Sequence, residues 1–191
     1  MIGGFTAPAP ALAAERTVTN LNDSGAGSLR QAIQDANSNP GADLITFQLG
    51  LAGTIALGSQ LPAVTDDLTI RGPGSKVISV SGQNQHRIFR VNSGTVRISG
   101  LTLKNGKSQG YNGSNSEIFA GAGGGGAGAG GALLVMGGSV FADDVVFMNN
   151  EARGGNGGSS GKGYSPVGGS GGHGLDGTGG GAGGDPYFQN Y

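Results

Sequence analysis

Gly94–Gly106 reads GTVRISGLTLKNG. Thr95-Val96-Arg97-Ile98 alternates polar and apolar, Ser99-Gly100 interrupts, Leu101-Thr102-Leu103-Lys104 alternates again, and Asn105-Gly106 interrupts a second time. A period of two argues for strands, but two strands this short are too small to stand alone as a hairpin. The pattern returns at Gly138–Asn150 as GSVFADDVVFMNN. Sliding by 44 residues sets Val96 on Val140, Leu101 on Val145, Leu103 on Phe147 and Asn105 on Asn149. A recurring strand–corner–strand unit marks an architecture in which each layer buries its apolar face on the next.

Upstream the same period recurs in Leu44–Phe47, Gly53–Leu57, Asp66–Ile70, Lys76–Val80 and Arg87–Val91, and downstream in Ala132–Met136. Leu68–Gly72 also lines up on Leu101–Asn105 at a spacing of 33. Short strands at this density fit a β-sandwich or a parallel β-helix. Sandwich hairpins would want two-residue Asn-Gly or Asp-Gly turns between longer runs. Here the strands are punctuated by one- and two-residue corners, with asparagine at matched phase at Asn105 and Asn149. Stacked Asn side chains can bond along an axis as in cross-β ladders. The expected fold is therefore mainly β, a right-handed parallel β-helix, that is, a single-stranded solenoid.

Before these strands, TVTNLN (residues 17–22) is expected to form a first strand. Ser28 is a good helix N-cap, with Gln31 placed to close a capping box. Leu29, Ala32, Ile33 and Ala36 then fall on one stripe of a short amphipathic helix, ended by Asn37-Ser38-Asn39-Pro40-Gly41. A lone helix ahead of a stack of strands would cap its first apolar layer.

Composition narrows the function classes. Net charge is −1 and only 12% of residues are charged, which leaves no footprint for nucleic acid or an anionic membrane. Cysteine is absent, excluding a disulfide scaffold, thiolate metal sites and a cysteine nucleophile. Most of the 43 glycines follow Gly106, and there are seven prolines; glycine is read as keeping no three-residue period, which excludes collagen. The start, MIGGFTAPAPALAAERTV, carries a small-x-small site at Ala11-Leu12-Ala13, the form of a signal-peptidase site, although no Lys or Arg precedes it. No other run approaches the length of a membrane span.

Two glycine-rich stretches, Lys107–Gly131 and Arg153–Gly184, follow the same corner of the repeated unit. By default they read as linker-like loops. The alternative is a glycine-rich layer in which they pack on each other, with Tyr111, Phe119, Tyr164 and His173 as occasional contacts. The expected organisation is residues 1–14 as signal-peptide remnant or disordered tail and 15–42 as an N-terminal cap of strand plus helix. Residues 43–150 supply β-helix turns with the glycine-rich insertion 107–131, and 151–191 form a glycine-rich segment with a truncated C-terminus.

TVTNLNDSGAGSLRQAI, followed by GADLITF, LTIRGPG, ISVSGQNQHRIFRV and VRISGLTLKNG, resembles the N-terminal part of bacterial secreted right-handed parallel β-helix repeat proteins. These have an SLR-x-AI cap helix and repeats of the ISGLTLxNG kind, as in surface adhesins and polymorphic outer-membrane-protein-like chains. The resemblance covers about residues 17–150. It implies a capped β-helix, secretion and surface display, and no single reaction.

Several residues could carry chemistry. Asp143-Asp144 with Gly172-His173-Gly174 is similar to the DD and GHG motifs of polygalacturonase-type hydrolases, in which paired carboxylates cleave a glycosidic bond. Against that, Asp143-Asp144 aligns with the Ser99-Gly100 corner, where polar residues need no catalytic reason, and no Arg-x-Lys motif follows. Pectate-lyase-like chemistry would need Ca²⁺ held by carboxylates beside a basic residue; Arg87, Arg90, Arg97 and Lys104 lack acidic neighbours in sequence. Gly171–Asp176 matches half of a Ca²⁺-binding nonapeptide, making Asp176 a candidate ligand, but Thr178 replaces the required apolar residue and no tandem copy follows. The favoured function is a non-catalytic, secreted or cell-surface segment with a structural or adhesive role and no cofactor beyond a possible Ca²⁺. The alternatives are a carbohydrate-active enzyme and a glycan-binding module without turnover. The expected partners are the remainder of a longer chain or a C-terminal capping partner, and surface polysaccharide.

Overall fold

The structure is a computed structural model that describes residues 14–115 and 123–159. Along the chain run β1 (Glu15–Val18), α1 (Leu29–Asn37), β2 (Asp43–Phe47), β3 (Gly53–Ala56), β4 (Leu68–Arg71) and β5 (Ile78–Ser81). β6 (Phe89–Val91), β7 (Thr95–Lys104), β8 (Lys107–Gln109), β9 (Leu133–Val135), β10 (Ser139–Met148) and β11 (Glu151–Arg153) follow.

The expected β-helix solenoid is not what forms. The main sheet is a curled half-barrel of parallel strands in the order β1-β2-β4-β7-β5-β3, with β10 also paired to β7. The difference lies at the corner inside GTVRISGLTLKNG. A solenoid coil would break there and hand its halves to separate sheets. Instead β7 runs through Ser99-Gly100 as one ten-residue strand, and β10 does the same through Asp143-Asp144. Gly100 (φ +63°) and Asp144 (φ +46°) bend the backbone in the left-handed region without ending the ladder. The first half of β7 pairs with β4 and the second half with β5, so one strand ties both rows into one curled sheet.

The offset of 44 is real. Val140 faces Val96, Val145 faces Leu101 and Phe147 faces Leu103. The same offset joins Phe89 to Leu133 in β6/β9 and Lys107 to Glu151 in β8/β11. The alignment at 33 is not used: Leu68 pairs with Val96 and Ile70 with Ile98, while Leu103 has Val80 beside it. Asn105 and Asn149 share φ +53°, a conformation asparagine tolerates better than most residues. No side-chain bond joins the two; Asn150 pins the corner, accepting from Gly106 N (2.7 Å) and donating to Leu103 O (2.9 Å).

Inward residues of β1 to β7 form one core that includes Ile45, Ile70, Val80, Phe89, Ile98 and Leu101, with Leu133 of β9 and Val140 and Val145 of β10 packed against it. α1 closes one end, burying Leu29, Ala32, Ile33 and Ala36. Ser28 caps it by accepting from Gln31 N. The box is not completed: the Ser28 N–H donates to Gly25 O (3.2 Å), and the Gln31 side chain turns to donate to Asp35 Oδ1 (2.7 Å). Arg30 fastens the helix by donating to Asp23 and to the carbonyls of Ser59 and Gln60. Buried Asp43 accepts from Ala14 N, Arg16 and Asn39, tying β1 to β2. Ser28→Ala should cost about 1 kcal/mol, read as a lower midpoint in urea with an unchanged slope.

The glycine-rich stretches, where described, are not slack. Segments 110–115, 123–131 and 153–159 lie side by side. Gly126 N donates to Tyr111 O and Gly123 N to Ser114 O; Gly155 N donates to Gly126 O and Gly158 N to Gly123 O. Gly110 N and Gly113 N complete the triangle by donating to Arg153 O and Asn156 O. Asn112 and Asn115 side chains accept from Asn156 N and Ser159 N, again 44 residues away. Bonds recurring every third residue belong to a three-residue-per-turn extended helix of the polyproline II kind, not to a pleated strand. Such packing needs glycine wherever backbones touch: a Cβ on Gly155 would lie inside the Tyr111 carbonyl. Locally, then, glycine does keep a period of three (Gly110, Gly113; Gly125, Gly128, Gly131; Gly155, Gly158).

Candidate functional site

The Asp143-Asp144 pair sits on the exposed corner of β10. Asp144 uses both carboxylate oxygens on Ser75, accepting from its hydroxyl (2.7 Å) and its N–H (3.2 Å). The Ser75 carbonyl in turn accepts from Thr102 Oγ1 (2.6 Å). This chain clips the Gly72–Val77 loop onto the corner that bends β7 and β10. Hydrogen bonds from the Ser75 hydroxyl and then its N–H, followed by the smaller attraction of Lys76, hold the Asp144 carboxyl below the usual carboxylate range. A glycosidase acid needs the opposite shift, upward, and the base of such a pair needs a free oxygen, whereas both Asp144 oxygens are engaged by Ser75. Asp144 is thus a corner clip. Its partner in the hydrolase motif, His173, and the Ca²⁺ candidate Asp176 both lie outside the described residues.

The shift has a pH consequence. The folded pKa of Asp144 lies below its unfolded value, so its contribution to stability is present above the usual carboxylate pKa. It is lost as pH falls through the lower folded value. On acidification below about pH 3.8, the melting temperature of Asp144→Asn should fall less steeply than that of the parent chain. Parallel curves would remove the clip.

The four basic side chains have separate occupations. Arg87 donates to the carbonyls of Ala129 and Gly130, to Ser108 and to Gln60, bracing the glycine segments against the sheet. Burial, and then the charge of Arg90, pull its guanidinium below its ordinary pKa. Arg90 bonds Asn92, Arg97 lies over the Phe141 ring at 4.6 Å, and Lys104 reaches Thr54. They do not converge on one point. Among the described residues no cluster of three or more His, Asp or Glu side chains could hold a metal ion, and no helix is long and apolar enough to cross a membrane.

Sequence reading missed an open polar cleft of about 270 Å³ beside Arg87, lined among others by Gln85, His86, Lys107, Gln109 and Tyr111. It forms because Lys107 N bonds His86 O (3.0 Å), bringing the polar run Gln83–Arg87 against Lys107–Gln109. Tyr111 stands largely exposed at its edge, and Lys107 is 3.7 Å from Glu151. Amide, hydroxyl and cationic donors beside an exposed ring can hydrogen-bond and stack on a polyhydroxylated or acidic ligand. The sequence signal was the pair of polar runs themselves, but only the fold makes them neighbours.

A second surface lies at the far end of the sheet. β9, β10 and β11 each pair on one side only among the described residues. Along β10 the side chains of Phe141, Val146, Phe147 and Met148 are about half exposed. The chain matches no protein-family model, and no curated protein is similar to it.

Proposed function

We propose that this chain is a non-catalytic structural or adhesive segment of a secreted or cell-surface protein. The observation that carries this reading is the end face built by β9, β10 and β11. A ten-residue strand whose outer edge is unpaired among the described residues, and which carries half-exposed apolar side chains, is a template for a further parallel layer. The remainder of a longer chain, or a capping partner, would complete it. The secretion-like start of the sequence and the likeness of residues 17–150 to secreted surface proteins support the extracellular setting.

A second reading, a glycan-binding module without turnover, is favoured by the polar cleft at His86, Lys107, Gln109 and Tyr111. Both readings meet in one experiment. The intact chain is incubated with acidic polysaccharides while reducing ends, unsaturated products and retention on the polymer are followed. The structural reading expects neither products nor retention, and retention that Tyr111→Ala weakens would transfer the function to the cleft. New reducing ends or unsaturated products would overturn both. Protease accessibility on whole cells tests the setting, and a protein shielded inside the cell would contradict it.

A further inference from the structure

The glycine bundle carries one more implication. In the segment 153–159, Gly155 and Gly158 face their neighbours, where a Cβ would strike the carbonyls of Tyr111 and Ser114. Gly154 and Gly157 are different. A Cβ on Gly154 would meet only Gly126 O at 3.5 Å, and one on Gly157 only Gly123 O at 3.9 Å. Both residues are exposed, and among the described residues their N–H groups find no acceptor. Packing inside the bundle therefore gives no reason for glycine at these two positions. They leave a backbone ridge on which the Gln109 amide reaches the Gly154 carbonyl (2.7 Å) and whose two N–H donors, three residues apart, are unbonded among the described residues, so that another backbone could lie along it as closely as the first three lie on each other.

We propose that this ridge docks the chain's own segment Gly168–Gly183, as a fourth member of the bundle. That segment lies outside the described residues, and the argument for it is in its sequence. Gly168, Gly171, Gly174, Gly177, Gly180 and Gly183 repeat at every third position, the period of the three segments already packed. The connection also matches. Residues 116–122 join the first segment to the second, which runs antiparallel to it, and the similar span 160–167 separates Ser159 from Gly168. A fourth segment would accept from Gly154 and Gly157 and bury backbone that is otherwise solvated.

Hydrogen exchange on the intact chain, read by mass spectrometry, tests this. Peptides within 168–183 should exchange at least ~10-fold more slowly than an unstructured chain. Gly154→Val/Gly157→Val stands the ridge off by one side chain and should return them to the unprotected rate, with β7 peptides unchanged. Gly174→Val/Gly177→Val, which leaves the described bundle untouched, should do the same. An unprotected rate in the parent chain, or protection that survives both variants, overturns the proposal. Protection that disappears on dilution overturns it too, since it would mean that a second copy supplies the strand.

Discussion

Leu101→Asp should abolish cooperative folding. Leu101 is fully buried in the second half of β7, directly after the bend at Gly100. Val145 lies beside it in the neighbouring strand. Removing the leucine side chain alone costs about 2–5 kcal/mol. An unpaired carboxylate in its place adds several more, because the described core around it offers apolar side chains. Together these reach the ~5–15 kcal/mol that holds a typical domain. Far-ultraviolet circular dichroism should lose its sheet signal and the melting transition should vanish at neutral pH. The exposed neighbour Arg97→Asp offers the control: it removes the contact with Phe141 and should shift melting only slightly. An unmoved transition in Leu101→Asp would mean that β7 is not the central strand.

Gly155→Val should open the glycine bundle while leaving the sheet standing. Its Cβ would lie well inside van der Waals contact with the Tyr111 carbonyl. Backbone there cannot yield without breaking the bonds from Gly155 N to Gly126 O and from Gly126 N to Tyr111 O. Overpacking of this kind costs about 1–3 kcal/mol and sometimes more. The bundle, held largely by backbone hydrogen bonds, has little apolar burial to offset it. Amides of Gly113, Gly126 and Gly158 should lose protection by ~10-fold or more, while those of Leu101 and Leu103 keep theirs. If all of them fell together, bundle and sheet would be a single cooperative unit.

What the sequence made legible was period and repetition. Alternation located the strands to within a few residues except β8 and β11, which lie in stretches read as glycine-rich segments; the stripe Leu29–Ala36 located the helix, and the offset of 44 gave the register of β7 on β10. Three features escaped for physical reasons. The corner Ser99-Gly100 reads as a break, yet a left-handed φ at one residue bends a strand without costing it its partners, and that turned an expected solenoid into one curled sheet. The alignment at 33 failed because the match of Leu68 to Leu101 is one of residue type, while the Gly72–Val77 loop is clipped at the corner by Asp144, 69 residues from Ser75. The glycine period was hidden by being sought over the whole chain, since it lives in short segments that meet only after β9 and β10 return. The site was less legible still. Asp143-Asp144 advertises paired carboxylates, but Asp144 is spent on a loop no local pattern could bring to it, and the polar cleft depends on the bond from Lys107 to His86.

The register at the offset of 44 joins all three parts, sheet, corner and glycine bundle, and it can be tested directly because the chain has no cysteine. Arg97 and Phe141 are exposed register partners on β7 and β10, whereas Arg97 and Ser139 are two residues out of step, beyond the reach of a disulfide. Under mild oxidation Arg97→Cys/Phe141→Cys should close quickly into an intramolecular disulfide, with Arg97→Cys/Ser139→Cys staying reduced. Closure of the out-of-step pair at an equal or greater rate would contradict the fold described.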